Sequence, residues 1–153
     1  MLGLELMGKG SGGDGGVIIN SSSIGGVTLL LKFIPVYSAT KAAVAHFSRC
    51  IALTAPNDYG VRVNCIAPAA VETNMLNSFI NSLRSGKLKA PDDYMQQIPK
   101  TDEELRNRAI KPSDISKEVM KLISDESKNG QVLLIEKNPQ DQTQIKVENL
   151  DFK

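Results

Sequence analysis

The stretch that decides the fold is GVIINSSSIGGVTLLLKFIPVYSATK, running from Gly16 to Lys41. Val17, Ile18 and Ile19 form a short apolar run bounded by glycines and by Asn20, the pattern of a strand buried on both faces. Three serines, Ser21 to Ser23, stand at its end. After an apolar connector, Pro35-Val36-Tyr37 opens an Ala-rich segment that reads as a helix to about Thr54. Tyr37 and Lys41 are then four residues apart on one helical face, about 40° from each other around the axis.

Such a face has a definite chemistry. A phenol is a poor base at neutral pH, but an ammonium held beside it favours the phenolate. A serine hydroxyl at the strand end can hydrogen-bond the same substrate oxygen, so alcohol deprotonation or carbonyl protonation becomes feasible there. The remaining event is a hydride transfer, which no side chain can accept, so a nicotinamide is implied.

Four segments then stand in an order that resembles the short-chain dehydrogenase/reductase family: the serine-ended strand, Tyr37-Ser38-Ala39-Thr40-Lys41 as Tyr-x-x-x-Lys, Tyr59-Gly60-Val61-Arg62-Val63-Asn64, and Pro68-Ala69-Ala70-Val71-Glu72-Thr73. Within the family, the span from Met1 to Gly130 is most similar to the 15-hydroxyprostaglandin dehydrogenase branch and its insect alcohol-dehydrogenase-like relatives. The resemblance implies an α/β fold, the C-terminal part of a Rossmann-type doubly wound parallel sheet with three strands and flanking helices. It implies catalytic roles for Ser23, with Ser22 as the alternative, for Tyr37 as general acid/base, and for Lys41. Cofactor contacts are implied at Tyr37, Lys41, Pro68, Val71 and Thr73, the last three meeting the nicotinamide carboxamide and phosphate. The cofactor so implied is NAD, with NADP open.

Two departures accompany the resemblance. Ile34 stands where prostaglandin-oxidising relatives have a substrate-contacting glutamine, so Ser23 and Ile34 are the substrate-binding expectations and prostaglandin itself is not implied. Pro68-Ala69 replaces the family's usual Pro-Gly, a strained turn if that position needs positive φ and a harmless change if it does not. The connector Ile24 to Ile34 borders the substrate in the family. Its Leu29, Leu30, Leu31 and Phe33 favour a small apolar alcohol or ketone.

Length bounds the reading. A complete doubly wound sheet of this family takes about 250 residues, whereas this chain has 153. No Gly-rich turn after a first strand, no acidic residue to select NAD, and no Asn-Asn-Ala-Gly strand occurs. The expectation is therefore the C-terminal portion of a dehydrogenase, inactive alone, with residues 1–135 as a partial catalytic domain and 136–153 as a polar, loosely ordered tail. The alternative is a non-catalytic remnant that acts by pairing through the Tyr37 helix. The small residues Ser38, Ala39, Ala42, Ala43 and Ala45 on that helix, with the resemblance, imply homodimerisation.

The flanking sequence is consistent with one domain. MLGLELM at the start reads as the last turns of a helix, and Gly8 to Gly16 as a flexible connector. Gly8-Lys9-Gly10-Ser11-Gly12-Gly13 satisfies G-x-G-x-x-G, yet the dinucleotide motif needs a strand before it and a helix after it, and here the order is reversed. Val61 to Ala67 is a second strand, and Asn74 to Thr101 a mixed substrate-covering region. Pro112-Ser113-Asp114 starts a helix with Ser113 as its cap, bearing Ile115, Val119, Leu122 and Ile123. Asn129-Gly130 turns into a last strand, Val132 to Ile135.

Charge and cysteines exclude other classes. A net charge of +1 gives no electrostatic footprint for nucleic acid. One histidine makes a zinc site a poor expectation, and His46, nine residues from Tyr37, falls on the far side of the helix. Cys50 and Cys65 read as reduced thiols of a cytoplasmic protein. The apolar run Ile24 to Ile34 is too short to span a bilayer.

Overall fold

A computed structural model describes residues 2–151; Met1 and the tail residues Phe152 and Lys153 lie outside the described residues. Three strands pair in the order the α/β reading requires. β1 (Gly16–Ser21) and β2 (Val61–Pro68) are parallel, in register Gly16 to Val61, and β2 and β3 (Val132–Lys137) are parallel, in register Cys65 to Val132. The crossover from β1 to β2 carries α2 (Ile24–Val27), α3 (Pro35–Ala52) and α4 (Ala55–Tyr59). A parallel pair needs such a crossover, and α3 covers one face of the sheet. α8 (Pro112–Ser124) covers the other.

β2 is the centre of the molecule. Its alternation sends Val61 and Val63 toward α3, α4 and the short α1 (Leu2–Met7), while Ile66 packs with Leu122, Leu133 and Ile135 on the α8 side. Being covered on both faces, it reads as nearly continuous apolar sequence. Its one buried amide side chain is bonded at both its oxygen and its nitrogen. Asn64 Oδ1 accepts the Gln131 N–H at 3.0 Å and Nδ2 donates to the Lys128 carbonyl at 2.9 Å. Asn129 makes a matching clamp, accepting from Val63 N at 2.9 Å and donating to the Ala52 carbonyl at 2.7 Å. Arg62 closes the C-terminal end of α8 by donating to the carbonyls of Leu122, Ile123 and Lys128. The Val-Arg-Val-Asn sequence is thus a joint between β2, α8 and the turn into β3.

Several expectations are corrected. β1, expected to be buried on both faces, is a half-buried edge strand, because among the described residues β2 is its only partner. The glycine-rich connector is a built turn: Gly13 N–H donates to Gly8 O, Gly15 N–H to Met7 O, and Gly16 N–H to Gly60 O. Helix precedes this turn and strand follows it, as the motif argument required. Ser113 is not a cap; Lys111 holds that place with no side-chain bond, and Pro112 supplies the first helical residue. The sheet has four strands, not three. Part of the segment read as a loose tail, Ile145–Asn149, forms β4, antiparallel to β3, and Leu150 packs against Ala45, Cys65, Ala67 and Val132. Its alternating Lys146, Val147 and Glu148 gave a weak strand signal that high polarity masked.

Between β2 and α8 the chain forms α5 (Asn74–Arg84), α6 (Asp92–Met95) and α7 (Asp102–Arg108). Together with Phe33 they build a separate apolar cluster around Ile80, Leu83 and Leu105. Thr73 and Thr101 cap α5 and α7 by accepting N–H bonds from Leu76 and Glu104. The Lys100 amide bonded to Glu104 is the main reason its carboxyl titrates below the ordinary carboxylate range.

Replacing Asn64 by Ala at its fully buried site leaves the Gln131 N–H without this partner, while the Lys128 carbonyl keeps Arg62, and the chain is expected to lose about 1–3 kcal/mol of stability. Urea unfolding followed by circular dichroism measures it; a loss below about 1 kcal/mol would show that the amide does not hold the β2–β3 joint.

Candidate active site

β1 and β2 run parallel, so their carboxyl ends open at the same edge of the sheet. There the chain leaves β1 through Ser22 and Ser23 and leaves β2 through Pro68 to Val71. A cleft of about 680 Å³ lies between them, roofed by α5, α6 and α7. The carboxyl ends of parallel strands are where α/β sheets usually receive ligands.

The cleft brings together the residues singled out in the sequence. Ser22, Ser23, Ile34, Tyr37, Lys41, Pro68, Val71 and Thr73 all line it. Lys41 Nζ stands 6.0 Å from the centre of the Tyr37 ring, so the four-residue spacing does place ammonium and phenol together. The same ammonium donates to the Ser21 carbonyl at 3.0 Å. His46 points away and lies 3.5 Å from the Cys50 sulfur on the outer side of α3.

The two candidate serines are differently engaged. Ser22 Oγ donates to the Lys41 carbonyl at 2.6 Å. Ser23 caps α2 and accepts from the Gly25 N–H at 3.3 Å, so its own O–H is left to donate elsewhere. Beneath them lies Cys65, whose thiol is pushed up chiefly by burial and so stays protonated at neutral pH.

The opposite wall is held by main chain. Ile110 N–H donates to Ala70 O and Glu72 N–H donates to Ile110 O, forming a bridge at Val71. Ala69 N–H donates to Ile135 O. Among the described residues no non-glycine residue has positive φ, so Ala69 in place of glycine brings no strain. The Thr73 hydroxyl caps α5 and donates to Val71 O at 3.2 Å.

The apolar connector divides its residues. Leu30, Leu31 and Ile34 face the cleft, whereas Leu29 is 87% exposed and points away. Phe33 belongs to the covering helices. Its ring lies 4.6 Å from that of Tyr94 and 6.4 Å from that of Phe79, and Lys32 pairs with Asp93 at 3.6 Å beside it. Burial pushes the Tyr94 phenol up. Tyr94, Gln97 and Arg108 also line the cleft, and the sequence reading missed them. Their only signal was position within the covering segment, since nothing in their spacing points to one site.

Comparison with known proteins agrees with this geometry. Residues 2–83 match the model of the short chain dehydrogenase family. The chain is 35% identical over 135 residues to the 15-hydroxyprostaglandin dehydrogenase [NAD(+)] of Mus musculus, and 34% to that of Homo sapiens, covering 88% of this chain and 48% of each relative. It thus spans about half the length of these curated relatives. Among solved structures, levodione reductase superposes with a TM-score of 0.60 at 26% identity, covering 77% of this chain and 44% of that one. A 7α-hydroxysteroid dehydrogenase complexed with NADH and 7-oxo glycochenodeoxycholic acid superposes with a TM-score of 0.57 at 27% identity, covering 80% and 43%.

Replacing Phe33 by Ala is expected to loosen the roof while sparing the sheet. Amide hydrogen exchange should accelerate in residues 74–101 and stay slow in β2, with about 1–3 kcal/mol of local stability lost. Unchanged exchange in 74–101 would show that the ring does not anchor the roof.

Proposed function

The chain belongs to the short-chain dehydrogenase family, and from that premise we propose that its cleft serves NAD-dependent interconversion of a small apolar secondary alcohol and its ketone. The observation that carries the reading is Lys41 Nζ standing over the Tyr37 ring in a cleft whose rim bears the Ser23 hydroxyl. Tyr37 is the general acid/base: its oxygen takes the proton of the substrate hydroxyl, or returns it to the carbonyl. Ser23 donates its O–H to the same substrate oxygen. Lys41 sets its positive charge beside the phenol and has N–H groups beyond the one given to Ser21, which suit the hydroxyls of a nicotinamide ribose.

The residues present fit the nicotinamide end of the cofactor. The bridge to Ile110 engages Ala70 and Glu72 and leaves the Val71 peptide to face the other way, as strand alternation dictates, which suits the carboxamide. Pro68 and Thr73 flank it. When bound, the nicotinamide supplies the hydride acceptor. NAD is preferred over NADP because the 15-hydroxyprostaglandin dehydrogenase relatives are named for it. Leu30, Leu31 and Ile34 make the substrate wall apolar, and Ile34 offers no hydrogen bond where prostaglandin-oxidising relatives have an amide.

Two further parts of the reading concern assembly and place. Val36 and Phe47 are exposed on the outer side of α3, among its small residues, which supports pairing of two copies through that helix. The two cysteines are unpaired, which supports a reducing, cytoplasmic setting. Among the described residues no helix is long and apolar enough to cross a membrane.

In the intact natural protein, Tyr37→Phe should lower turnover of apolar secondary alcohols at least about 100-fold while NAD affinity is kept; turnover close to wild type would remove Tyr37 from the reaction. Phe47→Glu should shift the sedimentation coefficient from dimer to monomer, and an unchanged dimer would place the interface elsewhere.

A further inference from the structure

We propose that Ser22 is a positioning residue whose hydroxyl, by holding the main chain of Lys41, fixes where the Tyr37 and Lys41 side chains stand in the cleft. This rests on the dehydrogenase reading of that pair. Ser22 is 4% exposed and its proton is committed to the Lys41 carbonyl at 2.6 Å, so it is not available to a substrate oxygen.

What makes the contact more than local packing is the convergence on one residue. The Ser22 N–H is itself tied to β2, donating to the Ile66 carbonyl at 2.8 Å. Its hydroxyl then passes that fixed point to the backbone of α3. The return contact comes from the other end of the same lysine, whose Nζ donates to Ser21 O at 3.0 Å. A third contact meets the same turn. A side-chain carbon at Gly26 would fall 2.5 Å from the Lys41 carbonyl carbon and 2.7 Å from Ala42 N, so α2 approaches α3 there as closely as backbones can. Residues 21, 22 and 26 therefore hold Lys41 by its ammonium, its carbonyl and its peptide plane.

The bond is also separable from folding. The Lys41 carbonyl lies within α3 and receives the helical N–H four residues on, so deleting the Ser22 hydroxyl orphans no buried acceptor. A second serine gives the comparison. Ser48, 1% exposed on α3, accepts from Asn20 Nδ2 at 2.9 Å and anchors the same helix to the same strand, two turns from Lys41. Losing that anchor loosens the helix without touching the turn that bears the pair.

The test is titration of the isotope-labelled chain with nicotinamide mononucleotide, followed by amide chemical shifts, beside thermal unfolding. Ser22→Ala is expected to weaken binding about five- to tenfold with a folded spectrum retained. Ser22→Thr, which keeps a hydroxyl, should recover affinity, and Ser48→Ala should bind as the wild type does. Equal affinity in Ser22→Ala and wild type, or equal weakening in Ser48→Ala, overturns the positioning role. Absence of saturable binding by the wild-type chain, or undiminished binding by Lys41→Met, overturns the dehydrogenase reading of the pair and this proposal with it.

Discussion

The joint between the end of β1 and the Lys41 turn of α3 is the constraint on which the arrangement of this molecule depends. A strand that must pair in parallel with its successor has to send the chain back along the sheet, and here that return path is α3. The return could settle at many heights along the sheet. Ser22 bonded to Lys41, Lys41 bonded to Ser21, and Gly26 pressed against the Lys41 peptide select one. That height brings a phenol, an ammonium and a strand-end hydroxyl to one edge of the sheet, which is what an acid/base site on an alcohol oxygen requires.

Around this joint, polar and apolar duties are separated. The charged residues of the second half of the chain include exposed ion pairs such as Lys128 with Asp125 at 3.8 Å, which contribute little to stability. Among the described residues the buried polar groups are few and each is bonded: Asn64 in the β2–β3 joint, Ser48 on α3, Glu118 on α8, and Ser22 and Ser23 at the cleft. Over the cleft the covering helices offer aromatic and aliphatic side chains, with Phe33 inserted from the connector below. The roof and the floor of the site are therefore linked by one aromatic ring from the segment that joins β1 to α3.

The sheet ends differently at its two sides. β3 gains an antiparallel neighbour in β4, whose outward side chains include Lys146 and Glu148, and charged side chains discourage further pairing at an edge. β1 carries Val17, Ile18 and Ile19 at the other edge, half-buried, with β2 as its one partner among the described residues. The chain covers 48% of the curated relatives to which it is similar.

The sequence by itself determined the strands β1, β2 and β3, the helices α3 and α8, and the company of Tyr37 with Lys41, because these follow from apolar periodicity and the helical repeat, which are local; the parallel order of the strands followed from the family resemblance. It determined the meaning of the glycine-rich segment as well, since strand and helix occur there in the wrong order for a phosphate-binding turn. Tertiary structure alone decided which of two adjacent serines gives its proton to the helix and which caps α2, for both have the same chemistry and differ only in what lies across from them. It decided that Ala69 is unstrained, that Leu29 turns outward while Phe33 joins the roof, and that a polar segment becomes β4. Each of those outcomes depends on a neighbour distant in sequence, such as the carbonyl of Lys41, the ring of Tyr94 or the free edge of β3, and no local pattern specifies such a neighbour.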